Sequence, residues 1–276
     1  MKNERRAVRK RTANPPARAL APLLDHPLHA PTVFKPQDLV EAVRVQRGKD
    51  NGPIPPICIL EFDGDLTDDM IRRGEVERCA AWPCFHTEMW IWRSGGLSCG
   101  IVSRTIGGPY AVLVAEQMAV CGAKVIVGLA SAGRISPALP IPSVVVADSA
   151  IRDEGTSYHY LPPGDVVQAP AQLAKALEAR IRLTGLAVRR GLVWTTDAPY
   201  RETAEQMERH ARAGALAVEM QAASLFAFAA RMEVQVGLVA QVSNAPEHEG
   251  RPFDKGHPDS GRLLLRAICE AAADSH

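Results

Sequence analysis

The residues able to do chemistry in this chain of 276 residues fall in short turns. The densest is Asp63-Gly64-Asp65-Leu66-Thr67-Asp68-Asp69, with four carboxylates in one short stretch. Carboxylates at a helix start can serve as general acids or bases, and they also complement the positive end of the helix dipole. Both readings stand for Asp68 and Asp69. Thr105-Ile106-Gly107-Gly108-Pro109 opens a helix, where unpaired N–H groups and the dipole suit an anion or a hydroxyl. A tight strand-to-helix turn uses the same residue types. Further polar turns lie at Ser131–Arg134, Thr195–Arg201, Glu219–Gln221 and Val242–Asn244. Apart from the isolated pair His26 and His29, His, Cys and Asp do not gather at metal-ligand spacing, so no metal or organic cofactor is expected.

Something must position these turns. Apolar runs bounded by turn residues predict strands at Ile57–Phe62, Lys124–Ala130, Val144–Asp148, Gly191–Thr196, Leu216–Val218 and Val234–Val242. Amphipathic stretches predict helices at Gln37–Arg47, from Thr67 to about Cys79, and at Gly108–Cys121, Gln172–Thr184, Arg201–Arg212, Met220–Met232 and Gly261–Ala273. Phe85–Arg93 and Leu97–Arg104 flank Gly95-Gly96 as a hairpin. Strands alternating with helices predict an α/β domain with helices covering a mixed central sheet. In such sheets ligands gather at the carboxyl ends of the strands, which is where the polar turns fall.

Hydrophobic residues make up 46% of the chain and charged residues 23%, an ordinary globular balance that excludes wholesale disorder. The formal net charge of +1 argues against a protein that coats nucleic acid or a membrane. No apolar run reaches the ~18 residues of a membrane span. The six cysteines form no C-x-x-C pair and several lie in apolar stretches, as expected for buried, reduced thiols of a cytoplasmic protein. Charge is uneven only at residues 1–18, where seven Lys and Arg oppose Glu4. That stretch has no apolar segment of a secretory signal. A transit peptide, an RNA-binding arm and a solvated tail are the alternatives, and the solvated tail is preferred because such a segment cannot bury enough to order itself. Residues 1–35 are therefore read as a basic, flexible arm and residues 36–276 as one domain.

Three segments in register, TIGGPYAVLVAEQMAVCGAKVIVGLASAG, TTDAPYRE and AVEMQAASLFAFA…VGLVAQVSNA, resemble the nucleoside phosphorylase family. That family includes uridine phosphorylase, hexameric purine nucleoside phosphorylase and the methylthioadenosine nucleosidases. The resemblance covers about residues 57–270. It implies a three-layer α/β/α fold, cleavage of an N-glycosidic bond in a nucleoside, and dimers that assemble into hexamers. The partners it implies are a small-molecule nucleoside and further copies of the chain.

The resemblance also implies roles. Gly64, Gly107, Ser131 and Arg104 would surround the anion or nucleophile. Glu219, Met220 and Gln221 would hold the sugar. Thr196, Tyr200 and Arg201 would line the base pocket, with Tyr200 stacking on a ring and Arg201 polarising a carbonyl. Asn244 falls where purine-cleaving relatives carry an acid for the leaving base, so it would hydrogen-bond the base without donating a full proton. His26 and His29 have no motif around them and are read as surface residues, with reach into a neighbouring subunit's sugar pocket, which the family uses, as the alternative; His159 is structural. Phosphorylases of the family grip phosphate with arginines. The matching positions here are Asp68, Gly128 and Thr87. Their loss predicts water as nucleophile, with Asp68 beside it, as in the nucleosidases. The alternative is phosphorolysis, with phosphate as co-substrate and Arg104 or Arg134 in the missing arginines' place. A second alternative is a non-catalytic ligand-binding or storage protein.

Overall fold

Strand β1 (Ile57–Glu61) is buried along its whole length, because both faces of its sheet are covered. Successive side chains point to opposite faces. Cys58 and Leu60 join a core with Val112, Ala115, Phe226 and Phe228. Ile57 and Ile59 join a separate core with Met70, Leu173, Leu177 and Leu265. These two cores are the seams of a three-layer α/β/α arrangement, as predicted. The computed structural model describes residues 21–244 and 258–275. Most of the basic arm, residues 1–20, and the stretch 245–257 lie outside the described residues.

One helical layer contains α1 (Pro36–Arg47), α3 (Gly108–Val120) and α6 (Ala222–Met232). The other contains α2 (Asp65–Arg72), α4 (Ala171–Arg182) and α7 (Pro258–Asp274). Helix α5 (Ala204–Arg212) covers a smaller apolar cluster around Trp194, Ala215 and Val218.

Among the described residues the sheet has ten strands. After β1 they are β2 (Val76–Arg78), β3 (Trp90–Ser94), β4 (Leu97–Ser103), β5 (Val125–Arg134) and β6 (Ser143–Asp153). The last four are β7 (Val166–Gln168), β8 (Val188–Thr196), β9 (Ala217–Glu219) and β10 (Gln235–Asn244). Strand β5 is central: its first half runs parallel to β1 on one side and to β10 on the other, and its end turns antiparallel to β9. The pairings β10–β6–β8–β9–β5–β10 close on themselves into a ring of five strands, with β7 paired to β6 outside it.

The structure alters some predicted boundaries. Helix α2 stops at Arg72 instead of running to Cys79, because Gly74 turns the chain with φ +67° and frees Val76–Arg78 to pair with β3. Its N-cap is Gly64, with Thr67 inside the helix. The hairpin at Gly95-Gly96 forms, but its first arm begins at Trp90. Helix α5 starts at Ala204, where Thr203 and Gln206 form a reciprocal cap. Helix α6 starts at Ala222, leaving Met220 and Gln221 in the turn before it. Helix α7 is tied to α2 by Arg262, which pairs with Asp69 and, at 3.0 Å, with Glu75.

All six cysteines are free and buried. No helix among the described residues is long and apolar enough to cross a membrane.

Candidate active site

The carboxyl ends of β1, β4, β5, β8 and β9 open onto one cleft of about 340 Å³. Each adjoining turn contributes to its lining. Phe62 and Asp63 follow β1, Ile106 follows β4, and Ser131–Gly133 end β5. Pro199, Tyr200 and Glu202 follow β8, and Glu219, Met220 and Gln221 follow β9. Five of the expected turns thus contribute to one cleft, whereas the sixth does not: Val242 and Ser243, at the end of β10, line a different cavity.

Asp63 is the residue that joins two of these turns. Its carboxylate accepts the Ser131 N–H at 3.1 Å and the Ser131 hydroxyl at 3.0 Å. The turn beneath it is shaped by Glu61, a buried carboxylate that accepts from Gly64 N–H at 2.7 Å and from the Thr67 hydroxyl at 2.9 Å. Burial pushes the Glu61 carboxyl above its usual range, against those hydrogen bonds. Gly64 takes φ +92°, and a Cβ there would meet the Arg104 side chain at 2.8 Å. Arg104 thus lies flat over Gly64 and ends in an ion pair with Asp68. Arg104 itself has φ 62°, a left-handed conformation that is uncommon for a side-chain-bearing residue.

At the other wall, Glu219 is buried. One oxygen accepts from the Thr195 hydroxyl at 2.5 Å, and the other accepts from the N–H groups of Gln221 at 2.6 Å and Ala222 at 2.9 Å. It caps α6, whose first N–H groups would otherwise be orphaned. Burial pushes its carboxyl up to about 7, against the pull of those donors. The side-chain Oε1 of Gln221 accepts from Met220 N–H at 3.2 Å, which ties that side chain to the turn. Glu202, also in the lining, has its carboxyl raised by burial alone. Tyr200 is 99% exposed, so its ring is available to cover a ligand.

Three carboxylates line the cleft, and no lysine or arginine does among the described residues. Gly128, at the position aligned with one lost arginine, explains part of this: a Cβ there would meet the Phe62 ring at 3.0 Å. The aromatic ring occupies that space. Close approach also shapes the helix start after β4. A Cβ on Gly108 would lie 2.1 Å from Ser224 Oγ, so only glycine lets α3 pack this tightly on α6. Thr105, just before it, is fully buried, and its hydroxyl has no partner among the described residues.

The predicted site residues divide accordingly. Ser131, Glu219, Met220, Gln221 and Tyr200 line the cleft, while Gly64 and Gly107 shape turns next to it. Asp68 does not line it; it is half-buried and engaged with Arg104. Arg201 is exposed and outside the lining, and the Thr196 hydroxyl instead accepts from Ala198 N–H at 3.2 Å. Arg134 adjoins the lining residue Gly133 and pairs with Ala217 through the backbone. Asn244 ends β10 opposite Gly133; its side chain lies outside the described part. The His26 ring sits 4.0 Å from the His159 ring of its own chain. Sequence reasoning missed Asp63 and Glu202 as individuals. Asp63 lay within a recognised acidic turn, and Glu202 at the end of the quoted TTDAPYRE segment.

A model of the phosphorylase superfamily matches residues 56–271. The chain belongs to the phosphorylase superfamily. Among curated relatives of this superfamily member, a guanosine phosphorylase from Halorubrum lacusprofundi is 28% identical over 176 residues, 60% of this chain and 70% of the relative. A uridine phosphorylase from Escherichia coli is 25% identical over 203 residues, 68% of this chain and 80% of the relative. Among solved structures, a purine nucleoside phosphorylase from Toxoplasma gondii in complex with immucillin-H superposes with a TM-score of 0.70 at 18% identity, covering 81% of this chain and 92% of that one. At that identity the last match establishes the fold. It agrees with the layers and closed strand pairing described above.

Proposed function

We propose that this member of the phosphorylase superfamily cleaves the N-glycosidic bond of a nucleoside by phosphorolysis, giving free base and sugar 1-phosphate. The observation that carries the proposal is the convergence of the Asp63–Ser131 pair, the Glu219–Gln221 turn and the Tyr200–Glu202 turn on one cleft. The relatives named above support phosphate over the water suggested by the missing arginines. So does the position of Asp68, which is paired with Arg104 and is not in the lining, so it is poorly placed to activate water in the cleft.

In the reaction the C1′–N bond breaks, an oxocarbenium-like sugar develops, and a phosphate oxygen bonds to C1′. Carboxylates around the sugar stabilise its growing positive charge, which suits Asp63. Met220 packs against the sugar, and the Gln221 amide, which has both donors and an acceptor, binds its hydroxyls. Tyr200 covers the base. Glu202, with its carboxyl raised by burial, lies on the same wall and can hydrogen-bond the N–H edge of the base. Arg104, at the rim beside Gly64, is the cation that receives phosphate once it leaves Asp68. No metal or organic cofactor enters the scheme. Function as a dimer or hexamer in the cytoplasm is part of the same proposal.

Hydrolysis remains a second reading on one specific observation, the three lining carboxylates without a lining cation. A panel of purine and pyrimidine nucleosides, incubated with and without phosphate, separates the two. The proposal expects turnover only with phosphate and a sugar 1-phosphate product. Free sugar formed without phosphate overturns it in favour of hydrolysis, and ligand binding without turnover overturns it in favour of a binding protein.

A further inference from the structure

Residues 21–30 lie outside both cores and are laid against the surface of the domain. Three contacts hold them there. The His26 ring faces the His159 ring, with centroids 4.0 Å apart and planes tilted by 41°. Arg231, near the end of α6, donates to the Leu28 carbonyl at 3.1 Å. Leu23 packs over Gly155, where a Cβ would lie 3.9 Å from Leu23 Cδ1. Of the three, the ring contact is the one that titrates. His26 is half-buried, and its Nε2 is buried with no hydrogen-bond partner among the described residues. His159 ends the short turn Thr156–His159 and is exposed, so protons reach it from solvent before the segment moves.

The buried acids around this pair are already engaged. Glu154 accepts from Ser157 N–H at 3.0 Å and from the Ser224 hydroxyl at 2.5 Å. Asp197 accepts from Gly155 N–H at 2.8 Å, and Glu116 accepts from the Tyr160 hydroxyl at 2.8 Å. Asp25 and His29 flank the contact in sequence and are exposed, and Arg231 brings a like charge to the same segment. We propose that the His26–His159 contact is a pH-sensitive latch, closed while both rings are neutral and opened when both become imidazolium. Two like charges at stacking distance repel. An imidazolium is also a donor at both nitrogens, and the inward Nε2 of His26 has no acceptor to meet it. Burial and the charge of His26 hold the His159 imidazole below its usual range, against the pull of Glu154. Once released, an imidazole titrates near the ordinary value of about 6.5. The latch is therefore at full strength above about 6.5 and weakens as pH falls below it. Opening also lifts Leu23 from Gly155, whose N–H Asp197 holds. Asp197 begins the turn that brings Tyr200 and Glu202 to the cleft, so the closed latch buttresses that wall.

The test reads the position of the segment, so it is independent of what the cleft catalyses. Hydrogen exchange is followed on the full chain at pH 7.5 and 5.5 and corrected for the intrinsic pH dependence of the rate. The amides of Leu24, Asp25, Leu28 and Ala30 are hydrogen-bonded within the segment and report its opening. Their protection should fall roughly tenfold at the lower pH, the linkage of one proton over the one unit below the ordinary histidine value. Protection of the buried strand Ile57–Glu61 should not change. His26→Phe keeps an aromatic ring against His159 and removes the charge, so the segment should stay protected alike at both pH values. His159→Phe makes the same test from the other ring, should His26→Phe leave the segment unprotected throughout. Protection of residues 21–30 that does not change with pH in the native chain overturns the proposal. So does a fall that survives undiminished in both Phe variants, or one that Ile57–Glu61 shares.

Discussion

Asp63 holds Ser131 by two hydrogen bonds, one from the backbone N–H and one from the hydroxyl, across a separation of 68 residues. This contact fixes the turn after β1 against the end of β5, and it keeps a carboxylate inside the cleft. In Asp63→Asn the charge is lost and one oxygen becomes a donor. We expect kcat/KM to fall roughly 10- to 100-fold, in line with about 1.5–3 kcal/mol for a hydrogen bond to a charged group. Steady-state kinetics alongside a thermal melt checks this, since a purely structural Asp63 would lower the melting temperature and leave kcat/KM of the folded fraction intact.

Arg104 and Asp68 form an exposed pair, so its strength is small, about 0–1 kcal/mol. Phosphate competes with Asp68 for the same guanidinium. Arg104→Gln is expected to raise the KM for phosphate about tenfold with the KM for nucleoside unchanged. Asp68→Asn should move the phosphate KM the other way, by no more than about fivefold. A loss of all turnover in Asp68→Asn would return this residue to a direct catalytic role.

Glu202 tests the base wall. Glu202→Gln keeps the shape and removes the charge. The expected effect is a drop of about tenfold in kcat/KM for nucleosides whose base presents N–H donors, against little change for those that present only acceptors. Equal losses across a panel of bases would count against a role in base recognition.

Glu219 makes stability depend on pH. Its carboxyl stands at about 7 in the native protein against the ordinary 4.5. The raised value means that its contribution to stability is complete below about 4.5 and is lost as pH rises through about 7. Compared with Glu219→Gln, the native chain should lose up to about 3 kcal/mol across that window. Urea denaturation of both proteins over the pH range measures the difference directly, and parallel curves would refute it.

Gly108→Ala tests the packing under the helix start. The new Cβ would meet Ser224 Oγ at 2.1 Å and Ser224 Cβ at 2.9 Å. Overpacking of this kind costs about 1–3 kcal/mol. Adding Ser224→Ala should relieve only part of it, because the Cβ contact persists. A variant with the melting temperature of the native protein would show that α3 can slide on α6.

The helices and most strands were legible in the sequence, because buried strands such as Ile57–Glu61 and helices such as Gly108–Val120 carry strong local patterns. Segments whose state depends on distant partners were less legible. Val76–Arg78 is largely exposed and becomes a strand only because β3 lies beside it. Strand β5 extends past its apolar run through Ser131–Arg134 because β10 and β9 pair with it. At the site, the motif residues Ser131 and Glu219–Gln221 were readable. Which acid of the turn Asp63–Asp69 faces the cleft was not, since that depends on Gly64 turning the chain between Asp63 and Asp68.

The six thiols have a practical consequence. Each is at most 8% exposed and none is engaged in a disulfide, so in the folded chain an alkylating reagent meets almost no sulfur. The rate at which each cysteine is labelled then becomes a clock for local opening. Cys99 and Cys269 report on one helical layer, and Cys79, Cys84 and Cys121 report on the other.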